Sequence, residues 1–236
     1  MNFLKFSVFL MVFSFAQAET ILYSENFDSY TSKSLPKDWW YEGSKAVWLE
    51  NGHLFTDANL DNSGENFKAS TVWLNKEFSG DLAIEVDAHV LKSKGNKNNI
   101  NFFFLFSDSS GKSLFETKSS RSNGAYSKYH SSTLNGYIFT FLATENSNIA
   151  RFRLRDCPGF NLIQENNDYE NKTGETYHIK IIKRKNHIQF FVDGKIYLNA
   201  KDNVYNHEHK KGLFGLRTWS THLWWDNIKV TQLDPA

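Results

Sequence analysis

Between Gly124 and Phe160 the chain gathers its densest set of side chains able to handle a polar ligand: Tyr126, Tyr129, His130, Asn135, Tyr137, Arg151, Arg153 and Arg155. Phenols and an imidazole donate, accept or move protons. Arg151, Arg153 and Arg155 alternate, so on a strand three guanidinium forks leave by one face. A plain solvated face would more often use Lys and Thr; a row of guanidiniums suits an anionic partner.

The elements that must position these groups read as strands. Leu82, Ile84, Val86, Ala88 and Val90 alternate with Ala83, Glu85, Asp87, His89 and Leu91, the period of an antiparallel strand with one apolar face. Ile100 to Phe106 is apolar on both sides and predicts a strand at the centre of a sheet. Thr20 to Phe27 predicts a first strand at an edge. Asn51-Gly52 between short aromatic runs signals a type I′ hairpin, and 176–183, 187–192 and 195–198 read as a meander closed by tight turns. No stretch of useful length has a helical period. About fourteen short strands with regular turns predict an all-β fold, a two-sheet antiparallel β-sandwich. Phe103, Phe106, Ile179, Ile181, Phe190 and Val192 are its expected core.

Composition sets the limits. The 236 residues suit one large β domain, and 21 Phe, 10 Tyr and 7 Trp are enough to fill its core and leave aromatics for a surface. Residues 1–18 read as a signal peptide: Lys5 in the n-region, Phe6 to Phe15 as the apolar run, and Ala16-Gln17-Ala18 as the cleavage signature. The run is too short to span a bilayer. The expectation is a single domain over 19–236, secreted or periplasmic. Losing the segment removes Lys5 and no acid, which leaves the basic and acidic residues equal in number and predicts neither a nucleic-acid nor an anionic-membrane partner. Cys157 is the only cysteine, so no internal disulfide holds the exported chain together.

Several local patterns carry less. The run 57–66, DANLDNSGEN, alternates Asp57, Asn59 and Asp61 but lacks the Gly and the carboxylate that a helix-loop-helix calcium loop requires, and reads as a solvated loop. His207-Glu208-His209 offers imidazoles with no third metal ligand evident in the sequence. Asn171-Lys172-Thr173 matches the N-glycosylation pattern of a eukaryotic source.

Three segments carry a resemblance: Thr-Tyr-His-Ile-Lys-Ile at 176–181, Phe-Phe-Val-Asp-Gly-Lys at 190–195, and Gly-Leu-Arg-Thr-Trp with the closing Trp-Asp-Asn-Ile-Lys-Val, both within 215–230. They resemble the second half of a concanavalin-A-like lectin/glucanase jelly roll. Tyr126-x-x-Tyr129-His130, Asn135-x-Tyr137 and Leu154-Arg155-Asp156-x-x-Gly159-Phe160 resemble YesU-like proteins associated with rhamnogalacturonan and other plant or algal polysaccharide use.

That resemblance implies a polysaccharide or oligosaccharide as partner and the concave sheet as the site. No cofactor is required; a structural calcium tying the first strand to the last would use Asp28 and Asp226. Trp48 and Trp219 would offer faces for sugar stacking. The paired carboxylates of glucanases on this fold, Glu-x-Asp-x-x-Glu, are absent, and Glu85 with Asp87 is the nearest substitute. β-Elimination needs other parts: Arg153, with Arg151 or Arg155, to neutralise a uronate, His130 as base, and Tyr126, Tyr129 or Tyr137 as acid. The same groups, with Asn135, can simply hydrogen-bond a sugar. A lyase- or hydrolase-type activity and a lectin-like binding module both stay open.

Overall fold

A computed structural model describes residues 19–44, 46–58, 69–143, 151–203 and 208–234. The segment read as a signal peptide, most of the 57–66 run and His207 lie outside the described residues. Among them run fifteen strands: β1 (Thr20–Glu25), β2 (Trp39–Gly43), β3 (Val47–Glu50), β4 (His53–Asp57), β5 (Ala69–Ser79), β6 (Leu82–Ser93), β7 (Ile100–Asp108), β8 (Leu134–Phe141), β9 (Phe152–Cys157), β10 (Asn161–Asn166), β11 (Thr176–Arg184), β12 (His187–Val192), β13 (Lys195–Lys201), β14 (Lys211–Trp219) and β15 (Thr221–Gln232). The one α-helix, α1, is a single turn over Ser127–His130. No described helix is long and apolar enough to cross a membrane.

The strands form the two antiparallel sheets that the alternation predicts. The first has the order β13-β12-β11-β6-β15-β4-β3, with β1 also pairing with β15; the second has the order β10-β9-β8-β7-β14-β5-β2. Asn51 and Gly52 both take positive φ between β3 and β4, as a type I′ turn demands. The apolar face of β6 packs inward, with Ile179, Ile181, Phe190 and Val192 from the first sheet against Phe102, Phe104, Phe139 and Leu216 from the second.

Phe103 and Phe106 are buried elsewhere. They belong to a second apolar cluster on the outer face of the seven-stranded sheet, with Trp40, Trp73, Ile138, Leu134, Leu114 and Tyr129. Strand β7 is central in that sheet and is covered on both faces, which is why 100–106 is apolar at both parities. Asn171 is buried, and its amide nitrogen donates to the carbonyls of Asn98 (2.7 Å) and Phe141 (3.1 Å). In the folded chain that nitrogen is a structural donor and is not presented for glycosylation.

Candidate functional site

The outer face of the seven-stranded sheet is organised by register. Glu42, Thr71, Arg217, Asn101, Thr140, Arg153 and Glu165 are successive cross-strand partners from β2 to β10. The neighbouring row on the same face runs Trp40, Trp73, Gly215, Phe103, Ile138, Arg155 and Leu162. One row is polar and the other is mostly aromatic or aliphatic. Gly215 makes room for the Trp73 indole, since a Cβ there would lie 2.6 Å from the ring.

An apolar row of that size is stable only when covered. The connection between β7 and β8 covers it, bringing Leu114 and Tyr129 onto Trp73 and Phe103. Glu42 holds the connection down. Its carboxylate, buried on β2, accepts from Arg121 Nε (3.0 Å), Tyr129 OH (2.8 Å) and Trp73 Nε1 (3.1 Å), and Arg121 Nη2 lies 2.9 Å away. Close approach of the backbone completes the seam: Gly43 N donates to Ser122 O at 3.0 Å. Gly43 and Gly124, both at positive φ, cross so closely that a Cβ on Gly124 would lie 2.8 Å from Gly43 Cα.

Arg217, at the middle of the polar row, is 2% exposed. Its guanidinium donates to Thr71 Oγ1 (2.6 Å) and Gly124 O (2.9 Å) and lies over the rings of Tyr126 (4.8 Å), Tyr129 (4.9 Å) and Phe103 (5.7 Å). Tyr126 is edge-on to His130 at 4.9 Å and to Phe160 at 5.2 Å, and His130 stacks on Phe160 at 4.2 Å. Arg155 spans the other side of Phe160, its guanidinium 4.1 Å from the ring and donating to Phe160 O at 2.8 Å.

These surroundings set proton affinities. Burial pushes the Tyr126 phenol up to about 12 against the opposing fields of Arg217, Arg153 and Arg155. Tyr126 is therefore a proton donor at neutral pH. Burial, and then the positive charges of Arg217 and Arg155, lower the His130 pKa. Near pH 7 the imidazole is neutral, with Nδ1 2.7 Å from Ser131 Oγ. The Nε groups of Arg153 and Arg155 are buried without a hydrogen-bond partner among the described residues.

The structure thus brings together Tyr126, His130, Arg153 and Arg155. Other residues predicted at the site are placed apart from it. Tyr129 sits in the same connection, but it is fully buried and its hydroxyl is committed to Glu42, so it anchors the cover and presents nothing to a ligand. Tyr137 has the opposite parity to Ile138: it points between the sheets, and its hydroxyl donates to Asp202 at 2.8 Å. Asn135 shares the parity of Tyr137 on β8, which takes it off the outer face. Arg151 ends the guanidinium row paired to Glu170 at 2.9 Å.

Trp48 lies on the other sheet, stacked on Phe55 at 5.1 Å. Trp219 shares the outer face with Arg217 at two residues' spacing, is exposed, and holds Lys97 Nζ 4.2 Å over its ring. Glu85 and Asp87 also belong to the other sheet, where both contact His178 (3.3 and 2.7 Å). Asp28 and Asp226 approach closely enough for Asp28 to help raise the Asp226 pKa after burial, and His53 Nε2 lies 3.8 Å from Asp226. The one convergence of three metal-ligating side chains among the described residues is elsewhere, at Asp156, Asp202 and His209.

Arg217 and Glu42 are absent from the expectation. Arg217 was legible: it shares the parity of Trp219, and the two alternate onto one face. Glu42, a lone acid in a Trp-Trp-Tyr-Glu-Gly run, carries no local signal of its long-range partners.

Two antiparallel sheets packed face to face, one of them built over by a connection that carries a polar cluster, place the chain in the galectin-like and concanavalin-like class of β-sandwiches. A protein of unknown function with a galectin-like fold from Bacillus subtilis superposes with a TM-score of 0.76 at 20% identity, over 92% of this chain and 98% of that one. The carbohydrate-binding module CBM66 from Bacillus subtilis gives 0.57 at 15% identity, over 83% of this chain and 96% of that one. The VIP36 exoplasmic/lumenal domain, in a form bound to Ca2+ and Man3GlcNAc, gives 0.60 at 11% identity, over 90% and 89%. The chain belongs to the family described as a domain of unknown function, DUF6250, whose model matches residues 65–228. No curated protein matches the sequence.

Proposed function

We propose that this chain is an exported carbohydrate-binding protein that holds an acidic saccharide on the outer face of its seven-stranded sheet, at Tyr126, His130, Phe160, Arg153 and Arg155. One observation carries the reading: guanidinium groups outnumber carboxylates at this face, and two of them keep buried Nε groups without a partner among the described residues. Among the described residues, Arg121, Arg153, Arg155 and Arg217 are set there against Glu42, Asp108 and Glu165, and Glu42 is already shared by Arg121, Tyr129 and Trp73. A carboxylate from outside would supply the missing acceptor as a charge-assisted hydrogen bond. The resemblance to YesU-like proteins and the carbohydrate-binding neighbours of the fold favour a glycan over another anion.

A second reading, β-elimination at the same face, rests on the protonation states. A neutral His130 beside a protonated Tyr126, with guanidiniums to neutralise a uronate, provides a base, an acid and an electrophilic clamp. His130 would take the proton alpha to the carboxylate, electrons would shift to break the bond to the leaving oxygen, and Tyr126 would protonate that oxygen. Hydrolysis by paired carboxylates has less support, because Glu42 is fully engaged and Glu85 and Asp87 lie on the opposite sheet.

Titrating the full chain with an oligouronide and with a neutral oligosaccharide of equal length tests both readings. The expected result is preference for the oligouronide, weakened about tenfold or more by Arg153→Gln, since hydrogen bonds to charged groups contribute roughly 1.5–3 kcal/mol. Equal affinity for both sugars, unchanged in that variant, refutes the acidic-site reading. Absorbance from an unsaturated uronate separates elimination from binding alone.

A further inference from the structure

Outside this face, the most convergent set of ligating groups lies between the sheets. We propose that Asp156, Asp202 and His209 form a binding site for one divalent transition-metal ion that ties together β9, the end of β13 and the start of β14. Asp156 shares the inward parity of Leu154 on β9, Asp202 follows the last residue of β13, and His209 stands two residues before β14. All three are buried, at 0, 1 and 6% exposure, and one ligand atom from each lies within 4.8 Å of the others. Coordination at the usual metal–nitrogen and metal–oxygen lengths places ligand atoms roughly 3–4 Å apart, so only a small contraction separates this cluster from a coordination shell.

Two further observations point to an ion. Asp156 Oδ1 accepts from His209 Nε2, yet Asp156 Oδ2 is buried with no hydrogen-bond donor among the described residues, a costly state for a carboxylate oxygen. Second, the shell that would orient the ligands is built. Tyr137 donates to Asp202 Oδ2 at 2.8 Å, its ring packs edge-on against His209 at 4.6 Å, and Asp202 is fixed through its backbone to Asn186 (N to O 2.8 Å; O from Nδ2 3.1 Å). With both carboxylates ionised and the imidazole protonated, the three side chains still carry net negative charge in the interior. A divalent ion on two carboxylates and a neutral imidazole brings the set to neutrality. Binding turns His209 Nε2 from Asp156 to the metal, and the proton it held is released to solvent.

Two carboxylate oxygens and one imidazole nitrogen suit Zn2+ or Mn2+ better than Ca2+, which takes six to eight oxygens. Of the His207-Glu208-His209 pattern only His209 takes part; the other two ligands are supplied by the fold, Asp202 from seven residues upstream and Asp156 from 53. In a chain with a single cysteine, such an ion would be the internal cross-link.

The test uses the full chain, freed of metal by a chelator, titrated with ZnCl2, MnCl2 and CaCl2 while uptake and Tm are followed. The expected result is one equivalent of Zn2+ or Mn2+ in the wild type, and a Tm rise of roughly 5–10 °C at a hundredfold excess over Kd. Asp202→Asn and His209→Gln should abolish uptake. Tyr137→Phe keeps the ring and should weaken binding about tenfold or more through lost orientation of Asp202, a readout that survives if the other variants fold poorly. No stoichiometric uptake of Zn2+ or Mn2+ by the wild type overturns the proposal. Full uptake retained by Asp202→Asn or His209→Gln also overturns it, as does uptake of Ca2+ alone.

Discussion

Glu42→Gln should be the most informative single change, because one carboxylate carries the attachment of the β7–β8 connection and, through it, the placement of Tyr126 and His130. Gln keeps the shape and one acceptor oxygen but removes the charge that faces the Arg121 guanidinium. Arg121 is 3% exposed, so its charge cannot be handed to solvent. Removing one partner of a buried ion pair costs about 3–5 kcal/mol. The field of Arg121 also reaches Asp108, which keeps the expected loss near the lower end, about 3 kcal/mol. For a chain of this size that is a Tm decrease of roughly 6–12 °C.

Urea unfolding followed by tryptophan fluorescence is the assay. Trp73 donates to Glu42, and Trp40 stacks on Trp73 at 6.1 Å, so the signal reports this seam directly. A double-mutant cycle with Arg121→Met should return a coupling of about 1–3 kcal/mol, because the second change removes the orphaned charge. Saccharide affinity should fall in parallel with stability, since the connection carries Tyr126 and His130 of the proposed site. A loss below about 1 kcal/mol, or a coupling near zero, would refute the claim that this buried pair organises the face.

His130 makes a pH prediction. Burial and the neighbouring guanidiniums lower its pKa, so it is neutral at pH 7 and gains charge only at pH below the ordinary histidine range, about 6.5. A bound carboxylate favours the imidazolium, so binding takes up a proton and affinity for an oligouronide should rise as pH falls through that region; His130→Gln should flatten the profile in calorimetric titrations, and a flat wild-type profile would remove His130 from contact with the anion. Gly124→Ala places a Cβ 2.8 Å from Gly43 Cα at a positive φ, which predicts a loss of about 1–3 kcal/mol in chemical denaturation, whereas Gly111→Ala, with open space around it, should lose only the smaller cost of its own positive φ.

The sheets themselves were legible because side-chain period and turn chemistry are local. The alternation of 82–90, the Asn51-Gly52 turn and the doubly apolar 100–106 run each report an environment within a few residues. Parity also carried part of the proposed face: Arg153 and Arg155 leave by the one side that alternation assigns them. Tyr137 and Asn135 were misplaced because sequence proximity to His130 hides their position on the inward parity of β8. Trp48 was misplaced for a different reason, since which of two sheets a strand joins is decided by pairing over long separations. The Glu42 cluster and the meeting of Asp156 with Asp202 and His209 were illegible on the same ground: Glu42 lies 79 residues from Arg121 and Asp156 lies 53 from His209, and these pairs meet only through strand order.

The doubly apolar strand at the centre of the seven-stranded sheet also bears on function. Because β7 is covered on its outer side by the 109–133 connection, the polar row beside it is held in a medium far less polar than water. Arg217 is desolvated there during folding, against rings and two hydrogen bonds, and Tyr126 keeps its proton for the same reason. A surface guanidinium would surrender most of its attraction for a carboxylate to solvent and salt. At this face the desolvation has already been met by the folding energy of the aromatic cluster, so the anion of the proposed reading would encounter oriented, water-poor donors. The aromatic excess of the sequence and the electrostatics of the proposed site are therefore one feature: on the proposed reading, the rings that cover β7 are what would make a few arginines an anion receptor.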